Sequence, residues 1–275
     1  MNSIRCGKFT IPLDRPRIVG ILNVTPDSFS DGGKFFDRDH AVAHAHRMVS
    51  EGADIIDIGG ESTRPGSVRI SADEELRRIL PVLDALAGKL AIPVSIDTSK
   101  PEVAEACLAR MPVIINDVYG FRDPAMREVA ARYRAPVIIM HMQGTPDTMQ
   151  KNPSYGDVVE EVIGYLDTQA RLARAAGIEQ IIVDTGIGFG KTVKQNLLLL
   201  KHMHEFKRLG YPVMIGVSRK SFLQKISGTG SDDVLEGTLA ASVIAAYNGA
   251  DLLRVHDVAP VRRALTVAEA IRKTV

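Results

Sequence analysis

Short runs of β-branched and apolar residues recur along the chain, and several of them end in a carboxylate or an amide side chain. These terminal residues are Asn23, Asp97, Asn116 with Asp117, and Asp184, and Asp57 lies inside the second run. Carboxylate acceptors and an amide on neighbouring strands suit a flat heterocycle that carries N–H donors along one edge. Such a pocket rejects a ligand without those donors by a factor on the order of 10⁴, because buried carboxylates would be left unpaired. Asp97, Asn116 and Asp184 are therefore predicted to set ligand specificity.

Cationic or titratable side chains follow the last two runs. Lys220 follows the seventh run, while Arg254 and His256 stand two residues apart in the eighth. The alternation of side chains along a strand places Arg254 and His256 on one face. An arginine binds phosphate oxygens in bidentate fashion, and each charge-assisted hydrogen bond contributes about 1.5–3 kcal/mol. The three residues predict a site for an anionic group.

Each acidic or amide residue also has a purely structural explanation, since Asp and Asn often cap the helix that follows a strand. We interpret Asp57 and Asp117 in this way. Helix capping does not explain why a lysine, an arginine and a histidine follow the last two runs.

The elements that must position these residues alternate strictly. Every β-branched run is followed by a segment of helical period before the next run begins. The runs begin near Ile18, Ile55, Val94, Val113, Val137, Ile181, Val213 and Leu252. Such alternation requires a parallel sheet covered by helices, and eight repeats are the number that closes a barrel. The predicted fold is α/β, a single (β/α)8 TIM barrel, which commonly holds phosphate after its seventh and eighth strands.

An open doubly wound sheet is the alternative fold, but no G-x-G-x-x-G follows the first run, as that fold would require. Residues 1–275 are predicted to form one domain, with residues 1–16 as an extension or hairpin at the barrel bottom. Two helices have clear boundaries. One spans 72–89 and opens with a capping box at Ser71 and Glu74, and the other spans 157–176 and is closed by Gly177.

Composition narrows the function classes. The 275 residues carry a formal net charge of +1, with no basic stripe that would bind nucleic acid or an anionic membrane. The N-terminus lacks the apolar core of a signal peptide, and no stretch reaches the ~18 apolar residues of a membrane-spanning helix. Cys6 and Cys107 have no paired spacing, which favours reduced thiols. We expect a cytoplasmic protein that acts on small molecules.

Two loops are long and rich in turn-forming residues. They span 25–33, after the first run, and 61–66, after the second. Their length and composition favour lids that move or lie against a ligand, and ordinary turn chemistry is the alternative for each loop.

The segment that contains the first loop reads GILNVTPDSFSDGG at 20–33, and the second loop reads ESTRPG at 61–66. Both resemble the signature loops of bacterial dihydropteroate synthases. Further segments resemble that family in the same order along the chain. They are SIDT at 95–98, INDV at 115–118, HMQGTP at 141–146, GFGK at 188–191, SRKSF at 218–222 and RVHD at 254–257. Together they cover nearly the whole predicted barrel.

The resemblance implies an enzyme that joins a dihydropterin methyl diphosphate to 4-aminobenzoate with the help of Mg²⁺. It implies that Asn23 holds the Mg²⁺ and that Arg254 and His256 bind the diphosphate. The pterin ring would be bound by Asp97, Asn116, Asp184 and Lys220, between apolar walls formed by Met140 and Phe189. Residues that would cover the diphosphate or line the 4-aminobenzoate site are Phe29, Thr63, Arg64, Pro65 and Ser221. Lys220, Arg254, His256 and Asp97 would be the catalytic residues, and the apolar segment 239–246 would contribute to a homodimer contact.

One departure from the family pattern lies beside a site residue, where Asp184-Thr185-Gly186 replaces the usual Asp-Pro-Gly. Three alternative functions compete with the synthase. A pterin-binding methyltransferase would use the same ring pocket but needs no diphosphate site. A metal-dependent barrel hydrolase would show His-x-His on strand one, which is absent here. A catalytically silent pterin-binding protein would have lost the diphosphate ligands.

Overall fold

The structure is a computed structural model that describes residues 2–25, 34–62, 67–228 and 234–274. Eight parallel strands close into a barrel in which β10 pairs with β3, so the prediction of a TIM barrel is confirmed and the open sheet is excluded. The barrel strands are β3 (Arg17–Asn23), β4 (Ile55–Gly59), β5 (Val94–Asp97), β6 (Ile114–Asp117), β7 (Val137–Met140), β8 (Ile181–Asp184), β9 (Val213–Ile215) and β10 (Leu252–Val255). Each begins within one residue of its predicted start.

Helices cover the outside of the barrel. They are α1 (Lys34–Ser50), α2 (Ala72–Leu86), α3 (Pro101–Leu108), α4 (Pro124–Arg132), α5 (Val158–Ala175), α6 (Val193–Lys201), a 3-10 helix (Met203–Leu209), α7 (Ser221–Ser227), α8 (Leu235–Tyr247) and α9 (Val258–Lys273). Among the described helices, none is long and apolar enough to cross a bilayer.

Two details of α2 differ from the prediction. The helix ends three residues early, because Ala87 adopts an extended backbone and Gly88 takes a positive φ of 72°. The Ser71 hydroxyl accepts from the backbone N–H of Glu74 at 3.2 Å, but the reciprocal half of the predicted capping box is absent. The Glu74 carboxylate instead pairs with Arg77 and Arg78 on the same helix.

The chain begins with an antiparallel hairpin of β1 (Ser3–Cys6) and β2 (Phe9–Pro12). Its buried residues Ile4, Cys6 and Ile11 belong to the same apolar cluster as inward-facing strand residues such as Val19 and Leu252. The hairpin therefore packs against the barrel interior at the amino ends of the strands. Cys6 and Cys107 are free and buried, and burial raises the pKa of both thiols to about 12.

The parallel register brings the polar residues together. Gly59 lies beside Asp97, Asp97 lies beside Asn116, and Met140 lies beside Asp184 on neighbouring strands. Because alternate residues of each strand point inward, these positions share the carboxyl-terminal mouth of the barrel.

Candidate active site

A connected polar network lies at the carboxyl ends of β4, β5, β6 and β10. Nε of Arg254 donates to Oδ2 of Asp57, and Nη2 donates to Oδ2 of Asp97, both at 2.6 Å. The Asp57 carboxylate also accepts from the Ser95 hydroxyl at 2.5 Å and from Nδ2 of Asn116 at 3.2 Å. Three of the predicted site residues, Asp97, Asn116 and Arg254, thus share one hydrogen-bonded cluster with Asp57.

Arg254 uses only one edge of its guanidinium in this network. The edge formed by Nε and Nη2 faces the two carboxylates, whereas Nη1 makes no hydrogen bond to a residue that the structure describes. Burial lowers the pKa of Arg254, but the attraction of Asp57 and Asp97 outweighs it and leaves the pKa above its ordinary value. Arg254 is therefore a fixed cation with N–H donors left for an anionic ligand.

The interpretation of Asp57 as a helix cap is wrong. Asp57 is fully buried, and it binds side chains from three other strands. A signal for this was present in the sequence, because Asp57 stands between isoleucines two residues before the end of its strand, too early to cap the following helix. Asp117, by contrast, accepts from the backbone N–H groups of Tyr119 and Phe121 at 2.8 Å, in line with a role in fixing the turn.

The two predicted ring-binding carboxylates are both buried. Burial raises the pKa of Asp97 to about 7 although the Arg254 charge lowers it, and Asp57 adds to the rise. Burial also raises the pKa of Asp184, against the hydrogen bond from the backbone N–H of Gly186 at 2.7 Å and the charges of Lys220 and Arg254. Both carboxyl groups are therefore poised to gain stability from a ligand that offers N–H donors.

An apolar wall lies next to the polar network. Met140 belongs to a buried cluster with Val118, Met142 and Met149, and the ring of Phe189 packs against it. Nζ of Lys220 stands 4.1 Å from the centroid of the Phe189 ring, a cation–π geometry. Lys220 precedes α7, and Ser221 is the exposed first residue of that helix. This arrangement can hold a flat ring between an apolar face and hydrogen-bonding edges.

His256 follows β10 directly and is oriented by Ser218, a residue that the sequence reasoning missed. The Ser218 hydroxyl oxygen accepts from the backbone N–H of His256 at 3.2 Å and lies 3.1 Å from Nδ1 of the same residue. Burial, followed by the charges of Arg254, Arg219 and Lys220, lowers the pKa of His256 to about 3. A neutral imidazole that accepts the serine hydrogen at Nδ1 carries its own hydrogen on Nε2. If the Ser218 hydroxyl donates to Nδ1, Nε2 is therefore a hydrogen-bond donor.

Replacing Ser218 by Ala is expected to remove the preference of the His256 imidazole for this tautomer. In the native protein, ¹⁵N NMR should show His256 neutral with Nε2 protonated from pH 5 to 8, and Ser218→Ala should give a mixture of tautomers. The lost hydrogen bond corresponds to about 1.4 kcal/mol, or roughly a tenfold fall in kcat/KM. Ser50→Ala, which removes an exposed hydroxyl on α1, is the control. An Nδ1-protonated imidazole in the native protein would contradict the assignment.

Thr185, where the family pattern has proline, is fully buried, and its hydroxyl has no hydrogen-bond partner among the residues that the structure describes. Thr185→Val keeps the shape and removes the unsatisfied group, so we expect the free energy of unfolding to rise by about 1 kcal/mol. Urea denaturation measures this change, and kcat/KM should stay within about threefold of the native value because the hydroxyl makes no hydrogen bond to a described site residue. A less stable variant would show that the hydroxyl has a partner.

Asn23 ends β3 beside Gly59 of β4, and Gly59 in turn lies beside Asp97 of β5. Asn23 is half-buried. Among the described residues, no group of three His, Cys, Asp or Glu side chains could enclose a metal ion. A single amide oxygen at the mouth fits Mg²⁺, which is usually bound through one or two protein oxygens together with substrate phosphates. Four predicted site residues, Phe29, Thr63, Arg64 and Pro65, lie outside the described residues.

Comparisons with known proteins show the family of the chain. Residues 19–256 match a family described as pterin binding enzyme. Dihydropteroate synthase of Escherichia coli K12 is 45% identical over 263 residues, covering 95% of this chain and 93% of the relative. Two structures of the Xanthomonas albilineans synthase superpose on nearly the whole of both chains. The structure with 4-aminobenzoic acid has a TM-score of 0.94 and 44% sequence identity, and the match covers 100% of this chain and 99% of the other. The structure with 7,8-dihydropteroate has a TM-score of 0.90 and 42% sequence identity, and the match covers 99% of this chain and 100% of the other. The chain belongs to the pterin-binding enzyme family.

Proposed function

We propose that this chain catalyses the dihydropteroate synthase reaction. The enzyme is a transferase that joins (7,8-dihydropterin-6-yl)methyl diphosphate to 4-aminobenzoate, giving 7,8-dihydropteroate and diphosphate. The observation that carries the proposal is the position of Arg254, whose one guanidinium edge binds two buried carboxylates while Nη1 makes no hydrogen bond within the described residues. This side chain can connect a pocket for a nitrogen-rich ring with a site for a phosphate.

The ring pocket is assigned to Asp97, Asn116, Asp184 and Lys220. The two carboxylates accept hydrogen bonds from N–H groups on the pyrimidine edge of the pterin. The Asn116 amide forms a hydrogen bond to an adjacent position of the ring. Met140 and Phe189 cover the faces of the ring. Support comes from the burial of all three acidic and amide side chains, which excludes water as a competitor for the ring N–H groups.

The chemical step breaks the bond between the methylene carbon and the diphosphate oxygen, and the electron pair leaves with the diphosphate. Arg254 and the Nε2 hydrogen of His256 stabilise the negative charge that develops on the leaving group. The carboxylates of Asp97 and Asp184 stabilise the cationic pterin that remains. When bound, a Mg²⁺ would be held by Asn23 and would neutralise further negative charge on the diphosphate.

The amine of 4-aminobenzoate then forms the carbon–nitrogen bond and loses one proton. We assign Phe29, Thr63, Arg64, Pro65 and Ser221 to this second substrate and to the cover over the diphosphate. The two loops at 25–33 and 61–66 keep water from capturing the cation. Shortening either loop should then raise the ratio of hydrolysis to coupling.

Diphosphate release on mixing the two substrates tests the function. The synthase couples both substrates, so diphosphate and dihydropteroate should form in nearly equal amounts, and diphosphate release without 4-aminobenzoate should be far slower. A pterin-binding methyltransferase would bind the pterin without releasing diphosphate, and a silent pterin-binding protein would give the same result. Binding of the pterin substrate without turnover in the presence of Mg²⁺ would refute the proposal.

A homodimer is part of the proposal. Helix α8 buries Thr238, Ala241 and Ala245 against its own barrel but leaves Ile244 and Tyr247 at 52% and 74% exposure. Val267 and Ile271 of the adjacent α9 are also exposed. Such a patch on neighbouring helices suits a contact between two copies.

Light scattering tests the homodimer and should give twice the chain mass. The double variant Ile244→Glu with Ile271→Glu should give the mass of the monomer. A monomeric native protein would contradict the proposal. A cytoplasmic location also remains a prediction.

A further inference from the structure

Lys191 is an almost fully buried lysine that no step of the proposed reaction uses. Its side chain is 4% exposed, and no carboxylate lies within ion-pair distance among the described residues. Nζ lies 2.9 Å from the carbonyl oxygens of Gly186 and Phe189 and 2.9 Å from Nδ1 of His141. Three acceptors thus match the three N–H donors of an ammonium group.

We propose that Lys191 is a positioning residue for the pterin pocket, because its ammonium holds the turn 186–190 in the shape that presents Phe189 and fixes Asp184. The inference rests on the proposed function, since it assigns a role toward the same ring.

The backbone of this turn is folded around the lysine. Gly186, Gly188 and Gly190 all have positive φ, and a Cβ on Gly186 would lie 1.8 Å from the His141 carbonyl oxygen. This conformation points the carbonyls of Gly186 and Phe189 inward to Nζ. Without a cation there, two buried carbonyl oxygens and an imidazole nitrogen would lose their donors, which favours unfolding of the turn.

The outer side of the same turn meets the proposed ring pocket at three points. The backbone N–H of Gly186 donates to Asp184, the Phe189 ring stacks below the Lys220 ammonium, and the Lys220 side chain lies against Gly188. A change in the turn therefore moves two ring-contacting side chains and removes a hydrogen bond from a third.

His141 completes the cage from β7. Burial, followed by the charge of Lys191, lowers the pKa of His141 to about 2, so the imidazole is neutral. Its ring packs edge-on against Tyr165 at 4.9 Å between centroids. If Lys191 donates to Nδ1, the imidazole hydrogen must lie on Nε2.

Lys191→Met is the test, with Lys194→Met as a matched control, because Lys194 lies three residues further along on the exposed surface. We expect Lys191→Met to raise KM for the pterin substrate and Kd for 6-hydroxymethylpterin at least tenfold, with KM for 4-aminobenzoate within about twofold. Lys194→Met should match the native protein in all three. A folded Lys191→Met protein with native pterin constants, or with equal losses for both substrates, would overturn the positioning role.

Two readouts separate this inference from the proposed function and from simple misfolding. ¹⁵N NMR of the native protein should show His141 as the Nε2-protonated tautomer, and an Nδ1-protonated ring would overturn the cage whether or not the variant folds. If native protein binds 6-hydroxymethylpterin and turns over, but Lys191→Met is unchanged, only the inference fails. Native protein that binds no pterin would refute the proposed function, and the positioning role with it.

Discussion

Arg254→Gln is expected to lower kcat/KM for the pterin substrate by about 10³–10⁴-fold. The substitution removes one partner of a buried ion-pair network, which typically costs 2–5 kcal/mol. It also removes the N–H donors that we assign to the diphosphate, each contributing about 1.5–3 kcal/mol in the transition state. Steady-state kinetics with both substrates varied would measure the loss, which should fall mainly on kcat because the charge on the leaving group develops in the transition state.

The same change should also destabilise the fold, because Asp57 and Asp97 would be left buried without their common cation. A control must therefore separate stability from activity. Arg262→Gln is a suitable control, because Nη2 of Arg262 donates to Oδ2 of Asp54 at 2.6 Å. Asp54 directly precedes β4, so this ion pair lies at the opposite end of the barrel from the site. It should lower Tm while kcat/KM stays within about threefold of the native value. If Arg254→Gln kept kcat/KM within tenfold of native, the assignment of the diphosphate site to Arg254 would be wrong.

Arg254→Lys refines the interpretation. A lysine preserves the positive charge but not the planar fork that reaches two carboxylates and a ligand together. Activity between that of the native and Gln proteins would show that both charge and geometry contribute. Activity equal to that of Arg254→Gln would assign the whole effect to the fork.

Most of the fold could be predicted from local patterns. The strands begin where β-branched runs begin, because a strand covered on both faces must be apolar throughout, and the alternation with helical segments leaves few topologies. The end of α2 was less predictable. Its apolar period continues beyond Leu86, and only the backbone conformations of Ala87 and Gly88 end the helix. Sequence spacing could not show that the hydroxyl of Thr185 has no hydrogen-bond partner within the described part of the chain.

The sequence indicated candidate site residues one by one, but it did not indicate the hydrogen bonds between them. Asp57 and Arg254 are 197 residues apart, and nothing in either local sequence indicates that they form an ion pair. Ser218 and Lys191 were missed for the same reason, since each acts through a side chain far along the chain. Strand alternation shows which residues point inward, whereas hydrogen-bond partners depend on the register of the closed barrel.

Asp97→Asn is the second substitution with a large expected effect. The two side chains have nearly the same volume, but the amide offers N–H groups where the ring and Arg254 both require acceptors. Loss of two charge-assisted hydrogen bonds corresponds to about 3–4 kcal/mol, so KM or Kd for the pterin substrate should rise by two to three orders of magnitude. KM for 4-aminobenzoate should stay within about threefold, which makes the second substrate an internal control. Equal losses for both substrates would indicate a general disturbance of the fold.

The pH dependence of this loss identifies the carboxylate as its cause. Burial raises the pKa of Asp97 to about 7, so the group is mainly protonated at pH 6 and mainly ionised at pH 8. Only the ionised form accepts from both Arg254 and the ring, so the pterin affinity of the native protein gains a contribution from Asp97 as the pH rises. Lys191, whose pKa burial lowers to about 7, titrates in the same range but is present in both proteins. The ratio of native to Asp97→Asn affinity therefore cancels Lys191 to first order and should increase about tenfold from pH 6 to 8. A ratio independent of pH would mean that Asp97 is already ionised at pH 6 and that its burial is fully compensated by Arg254.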